Sequence, residues 1–218
     1  MGRKKKIVSP LNAFFDKVYV INLSFDKVRL ANFKKECEKN DVKATRVAAI
    51  HGSDKRVVFN GQRGEGWNRN AAALALTTLN IIKKAKEKGY KRIFIFEDDA
   101  YMIHHSFQQL FRKSSTNLPP ERKGGWDFFH LNSLDQKPST WIAPALKKLE
   151  GAWCCQAYGI NEQVYDAYIE KLEKLNKPID QMTMELHEER GKSFASHPNI
   201  VYHKTFRQSS IREMIVDY

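Results

Sequence analysis

One segment restricts the fold more than any other. Lys91-Arg-Ile-Phe-Ile-Phe96 is apolar over four consecutive positions and runs without a break into Glu97-Asp98-Asp99. A strand that is apolar on both of its sides needs cover on both, the condition of a central strand in a parallel sheet flanked by helices. Lys17-Val-Tyr-Val-Ile-Asn-Leu23 has the same character and predicts a first central strand. Open sheets of this kind bind ligands beyond the carboxyl ends of their strands. The three acids therefore stand where a ligand would.

The segments between these strands read as helices and further strands. Ser24 and Asp26 are candidate caps for a helix over 27–39, where Val28, Leu30, Ala31, Phe33 and Cys37 are spaced among charges as on a surface helix. Residues 45–50 predict a second strand, ended by a loop at His51-Gly-Ser-Asp54. Gly61, Gly64 and Gly66 mark a glycine-rich loop before a buried helix over 71–82, which ends in lysines and is stopped by Gly89. Strands are expected over 126–131 and 151–160, with a helix over 161–175 halted by Pro178. The last forty or so residues predict little beyond a short strand at 199–202. Alternating strands and helices give an α/β class with a mainly parallel central sheet.

The 218 residues, 42% hydrophobic and 28% charged, suit one folded domain. We read 1–10 as a flexible basic leader and 11–218 as a single domain. Lys+Arg 37 against Asp+Glu 25 gives +12, which attracts polyanions: nucleic acid, an anionic membrane or a phosphate-bearing substrate. The lysines are interleaved with acids and no zinc-finger or RNA-recognition signature occurs, so no specific nucleic acid is expected. No stretch reaches the ~20 apolar residues of a membrane helix, and no signal-type apolar run follows the leader, so the expected location is cytoplasmic, with Arg3 to Lys6 as a peripheral contact for anionic lipid. Cys37, Cys154 and Cys155 have neither disulfide nor metal spacing. Walker, dinucleotide and Gly-x-Ser-x-Gly patterns are absent, which removes P-loop, dehydrogenase and serine hydrolase readings.

The acidic triplet remains as the chemistry-bearing feature. In an extended chain Glu97 and Asp99 would face one way and Asp98 the other. Hard oxygen ligands of this type suit Mg²⁺ or Mn²⁺, although a solvated acidic turn has the same composition. His104, His105, His197 and His203 are scattered, and each is as well explained by a structural place. Trp126 and Trp153 fit a core or a sugar-stacking platform.

In this order the sequence resembles glycosyltransferase family 25, which includes bacterial lipooligosaccharide galactosyltransferases and collagen galactosyltransferase relatives. The resemblance rests on Val18-Tyr-Val-Ile-Asn-Leu23 with Asp26 and Arg29; on Ala48-Ala-Ile-His-Gly52; on 74–82 followed by Ile93-Phe-Ile-Phe-Glu-Asp-Asp-Ala100; and on Ala157-Tyr-Gly-Ile160 followed by Pro178-Ile-Asp180. One departure stands out: Ala73-Leu-Ala-Leu-Thr-Thr78 takes the place of the family's Gly-Cys-x-x-Ser-His.

The resemblance implies a GT-A type nucleotide-sandwich fold and inverting transfer from a nucleotide sugar, a UDP-sugar foremost, to a glycan, lipid-linked or protein-linked acceptor. It implies a divalent cation, Mn²⁺ or Mg²⁺, on Asp99 and Asp98 with His203 from the tail. Asn22, Leu23, Arg29, Glu97, Asp98 and Lys204 would flank the donor, with Arg207 a further phosphate contact. Asp180 would be the base that takes the acceptor proton, or else a helix N-cap, with Asp127 and Glu185 in reserve; Asn132 and Ser133 would line the acceptor side. Retaining transfer by another GT-A family, and a basic polyanion-binding module, are the competing readings.

Overall fold

The computed structural model describes residues 8–58, 68–103, 106–153 and 155–203. The two apolar runs form strands β1 (Lys17–Asn22) and β3 (Arg92–Glu97), hydrogen-bonded in parallel with Val20 opposite Phe96. Consecutive residues of each run split between two cores. Val18, Val20, Phe94 and Phe96 enter one, and Tyr19, Ile21, Ile93 and Ile95 the other. Each such side chain contributes roughly 1.5–3 kcal/mol when fully buried, so a one-residue slip of either strand would exchange both cores.

Helix α1 (Pro10–Phe14), α2 (Lys27–Lys39) and α4 (Phe107–Ser115) supply Leu11, Phe33 and Phe111 to the first core. Helix α3 (Arg69–Glu87), α5 (Tyr165–Glu173) and α6 (Ile179–Arg190) supply Leu79, Tyr168 and Leu186 to the second. The result is a three-layer α/β/α arrangement.

Among the described residues the sheet has eight strands. They comprise β1, β3, β2 (Thr45–Ala48), β5 (Phe128–His130), β7 (Thr140–Ala143), β8 (Leu146–Leu149), β10 (Ala157–Asn161) and β11 (Ser193–Ser196), in the order β2-β1-β3-β10-β5-β11-β8-β7. Following the pairings across it, six strands point one way and β10 and β8 are reversed. The expected α/β class with a mainly parallel sheet is therefore present. Two ribbons lie beside it: β4 (Ala100–Met102) with β12 (Val201–His203), and β6 (Leu134–Asp135) with β9 (Ala152–Trp153).

Several expectations are revised. The helix predicted over 71–82 extends to Arg69–Glu87, with Asn68 as its N-cap. The strand predicted over 151–160 breaks into β9 and β10. The tail is richer than predicted, holding α6 and β11 besides the expected short strand, which forms as β12, and Pro178 opens α6 as well as ending the connection before it. Trp126 is buried in the first core, whereas Trp153 is 42% exposed. The glycine-rich loop, Cys154, His104, His105 and the basic leader lie outside the described residues.

Candidate active site

The site forms at the carboxyl ends of β1 and β3. Asn22, the last residue of β1, is buried, and its amide is fully used. Its Nδ2 donates to Asp98 Oδ2 at 2.6 Å and to the Asp26 carbonyl at 3.0 Å, while its Oδ1 accepts from Arg46 Nε at 2.8 Å. The next residue, Leu23, is half-buried and offers its carbonyl to the Asp26 amide at 3.0 Å. That turn starts α2, with Asp26 as the cap that accepts from the Arg29 amide at 3.1 Å. Capping in turn aims Arg29 back at the sheet. Its Nη2 lies 2.6 Å from Asp98 Oδ1 and 2.7 Å from Asp99 Oδ2.

This pairing corrects the alternation expected of the acidic triplet. The strand ends at Glu97 and the chain turns at Asp98 and Asp99, so the period of two no longer applies. Asp98 and Asp99 converge on one guanidinium. His203, drawn in by the β12–β4 ribbon where it is the register partner of Ala100, places Nε2 3.1 Å from Asp99 Oδ2. The structure thus brings His203 to the triplet through Asp99.

The oxygens are used unequally. Both of Asp98 are engaged, by Arg29 and Asn22, whereas Asp99 Oδ1 is buried with no hydrogen-bond partner among the described residues. Burial raises the Asp98 carboxyl, opposed by the Asn22 hydrogen bond and the Arg29 charge. Glu97 is pushed well above the ordinary carboxylate range, first by burial and then by the charges of Asp99, Asp180 and Asp98. Among the described residues no three His, Cys, Asp or Glu side chains group as a cation cage. The positive charge between the aspartates belongs to Arg29.

Asp180 approaches from the other side, in the first turn of α6. It is not the N-cap, a position held by Pro178 with no side-chain cap bond. Its Oδ1 accepts from the Cys155 amide at 2.9 Å, and the following residue, Gln156, gives its carbonyl to the Glu97 amide at 2.8 Å. The segment entering β10 therefore ties Asp180 to the end of β3. Asn132 joins the same segment through a 2.6 Å bond from Nδ2 to Gln156 Oε1; Ser133 Oγ donates to Asp135 at 3.1 Å.

Other sequence candidates fall elsewhere. Asp127 is fully buried in an ion pair with Arg190, 2.5 Å from Nε to Oδ2, and Glu185 pairs with Lys171 and Lys177. Both are accounted for as structural charges. His197 stacks edge-on against Trp141, centroids 4.2 Å apart. Lys204 and Arg207 lie outside the described residues. Arg46 was missed by sequence reasoning: besides Asn22 Oδ1 it reaches Ser24 Oγ at 3.1 Å and the Asn22 carbonyl at 3.3 Å, and an arginine on a short edge strand carries no motif that announces this.

The motif pieces have local causes. A Cβ on Gly52 would stand 2.1 Å from Asn70 Oδ1 and 3.1 Å from the Arg69 carbonyl carbon, so only glycine lets this loop meet the start of α3. Thr77, in the segment that departs from the family pattern, accepts from the Ile50 amide at 3.0 Å and donates to the Ala73 carbonyl at 2.8 Å. It fastens the same loop to the helix.

No curated protein matches the chain. Solved structures that are similar include A197 from STIV, 14% identical over 88% of this chain and 86% of that one, TM-score 0.45. A glycosyltransferase involved in the glycosylation of the major capsid of PBCV-1 is 11% identical over 84% and 94%, TM-score 0.42. The mannose-1-phosphate geranyltransferase from Thermus thermophilus is 10% identical over 83% and 73%, TM-score 0.39. The model of glycosyltransferase family 25 (LPS biosynthesis protein) matches residues 15–183, from just before β1 through the first turn of α6. The chain belongs to that family and is a glycosyltransferase.

Proposed function

We propose that the protein transfers a sugar from a nucleotide-sugar donor, a UDP-sugar foremost, to a glycan, lipid-linked or protein-linked acceptor, with inversion and with a divalent cation, Mn²⁺ or Mg²⁺. The observation that carries this reading is the network Asn22–Asp98–Arg29–Asp99–His203 at the carboxyl ends of β1 and β3, in which the buried Asp99 Oδ1 lacks a partner among the described residues. An unsatisfied carboxylate oxygen beside an imidazole is a donor set for a hard divalent ion. Asp99 and His203 would hold it. Such an ion, when bound, neutralises charge on the diphosphate as it leaves.

The chain's own groups do the rest. Asn22, the last residue of β1, and Leu23 after it would lie beneath the donor, and Asn22, held by Arg46, fixes Asp98. Arg29 supplies a fixed positive charge for phosphate oxygens. Asp180, oriented by the Cys155 amide, takes the proton of the acceptor hydroxyl while that oxygen attacks the anomeric carbon from the face opposite the diphosphate. Glu97, whose amide is tied to the same segment through the Gln156 carbonyl, is the next carboxyl group in line. Family membership weighs against the polyanion-binding module. Retaining transfer is separated by NMR of the product anomer.

Two substitutions test the roles. Asp99→Ala is expected to abolish Mn²⁺-dependent binding of UDP in calorimetry while the protein stays folded. Asp180→Asn is expected to keep UDP affinity and lower turnover by about 10²–10⁴-fold. Near-normal turnover in Asp180→Asn would move the base to Glu97, and unchanged Mn²⁺ dependence in Asp99→Ala would remove the cation from this site.

A further inference from the structure

Asp98 and Asp99 are adjacent, each 8% exposed, and share one nitrogen of one guanidinium. Two buried like charges are tolerated only with a cation close by. One guanidinium faces both carboxylates and the His203 imidazole reaches Asp99 Oδ2, yet Asp99 Oδ1 stays unsatisfied among the described residues.

The bridging geometry is the informative part. Arg29 Nη2 spans the two residues, at 2.6 and 2.7 Å, and so fills the place between them that a bridging ion would take. Arg29 also has somewhere to go. Its Nε is 3.8 Å from Asp26 Oδ2, the carboxylate that caps its own helix, so it can release the pair and remain paired.

We propose that Arg29 is a resident counter-cation of the Asp98–Asp99 pair and that a divalent cation enters by exchange with it. The inference rests on the reading of Asp99 as a cation ligand given above, and it adds how Asp98 could join it: Asp98 Oδ1, which shares Arg29 Nη2 with Asp99, is paired until Arg29 leaves. Exchange raises the compensating charge from one to two, and it frees a guanidinium beside the site at the moment a diphosphate needs one. Cation and donor then favour each other's binding, because each gains from the displaced arginine.

The test is Mn²⁺ binding without a donor, followed by electron paramagnetic resonance of free Mn²⁺, in the full chain and in Arg29→Gln. The expected result is tighter Mn²⁺ binding in Arg29→Gln by about tenfold, within the usual range of such couplings, with Arg29→Lys intermediate. Equal or weaker affinity in a folded Arg29→Gln overturns the exchange. Should no Mn²⁺ bind to either protein, even with UDP present, the cation reading itself fails and the exchange with it. Should Arg29→Gln not fold, the wild-type protein decides: Mg²⁺ titration is expected to shift the Arg29 Nε–H resonance saturably. An unmoved resonance while Mg²⁺ binds overturns the proposal.

Discussion

His187 shows how much one side chain can decide. It is fully buried on α6, with Nε2 3.1 Å from His130 Nε2 and Nδ1 without a partner among the described residues. Burial, then the neighbouring His130, holds its pKa well below the ordinary 6.5. The folded state therefore keeps it neutral while the unfolded state binds a proton as pH falls. Stability from this source is whole above about pH 6.5 and declines below it, by up to ~1.4 kcal/mol per pH unit. Urea melts at pH 7 and pH 5 are expected to show a smaller loss in His187→Leu than in the wild type; an equal loss would contradict this. Of the residues that the structure brings together, Asn22, Arg29, Asp98 and Asp99 were singled out by strand ends and motif order, and His203 only by what the resemblance implied. The facing of the triplet was not legible, because a turn at Asp98 cancels the alternation on which it rested. Arg46 was not, because its role depends on register across β1, which a lone sequence does not display.

At the scale of elements, β1 and β3 were readable to within a residue, since unbroken apolar runs leave no other place than a covered sheet. Strand β10 was harder. Gly159 lies against Phe15, and a Cβ there would stand 2.5 Å from the ring's Cζ and 2.6 Å from Cε1. Phe15 cannot give way freely, being packed on Phe94, Phe111 and Trp126. Gly159→Ala is expected to cost about 1–3 kcal/mol, read as a lowered denaturation midpoint with unchanged slope. A neutral result would mean that the first core is looser than its contacts indicate. Strands β4 and β6, the partners of β12 and β9, escaped sequence reading because strands of two or three residues are made by the tertiary contacts around them. Helix α6 lies in the tail, where little was expected; it buries Ile179, Met182, Thr183, Leu186 and His187, a mixed face that gives a weak apolar period.

At the scale of the molecule, the eight-stranded sheet of the described residues and its two helical layers bring the ends of β1 and β3, the entry to β10 and the start of α6 together. This is where doubly covered sheets place ligands. The net charge of +12 favours encounter with anionic molecules in general. Many surface ion pairs, such as Lys83–Glu173 and Lys91–Glu162, are exposed and add little stability. Among the described residues no helix is long and apolar enough to cross a membrane. Thermal melting against a panel of nucleoside diphosphates, with Mn²⁺ and again with excess chelator, tests the proposed donor and cation together. At 100 times its dissociation constant the cognate nucleotide adds ~2.7 kcal/mol, a rise of about 5–10 °C for a chain of this size. The expected result is such a rise for one nucleotide, lost with chelator and absent in Asp99→Ala. No rise with any nucleotide, or a rise that chelator leaves intact, would contradict the cation-assisted donor site.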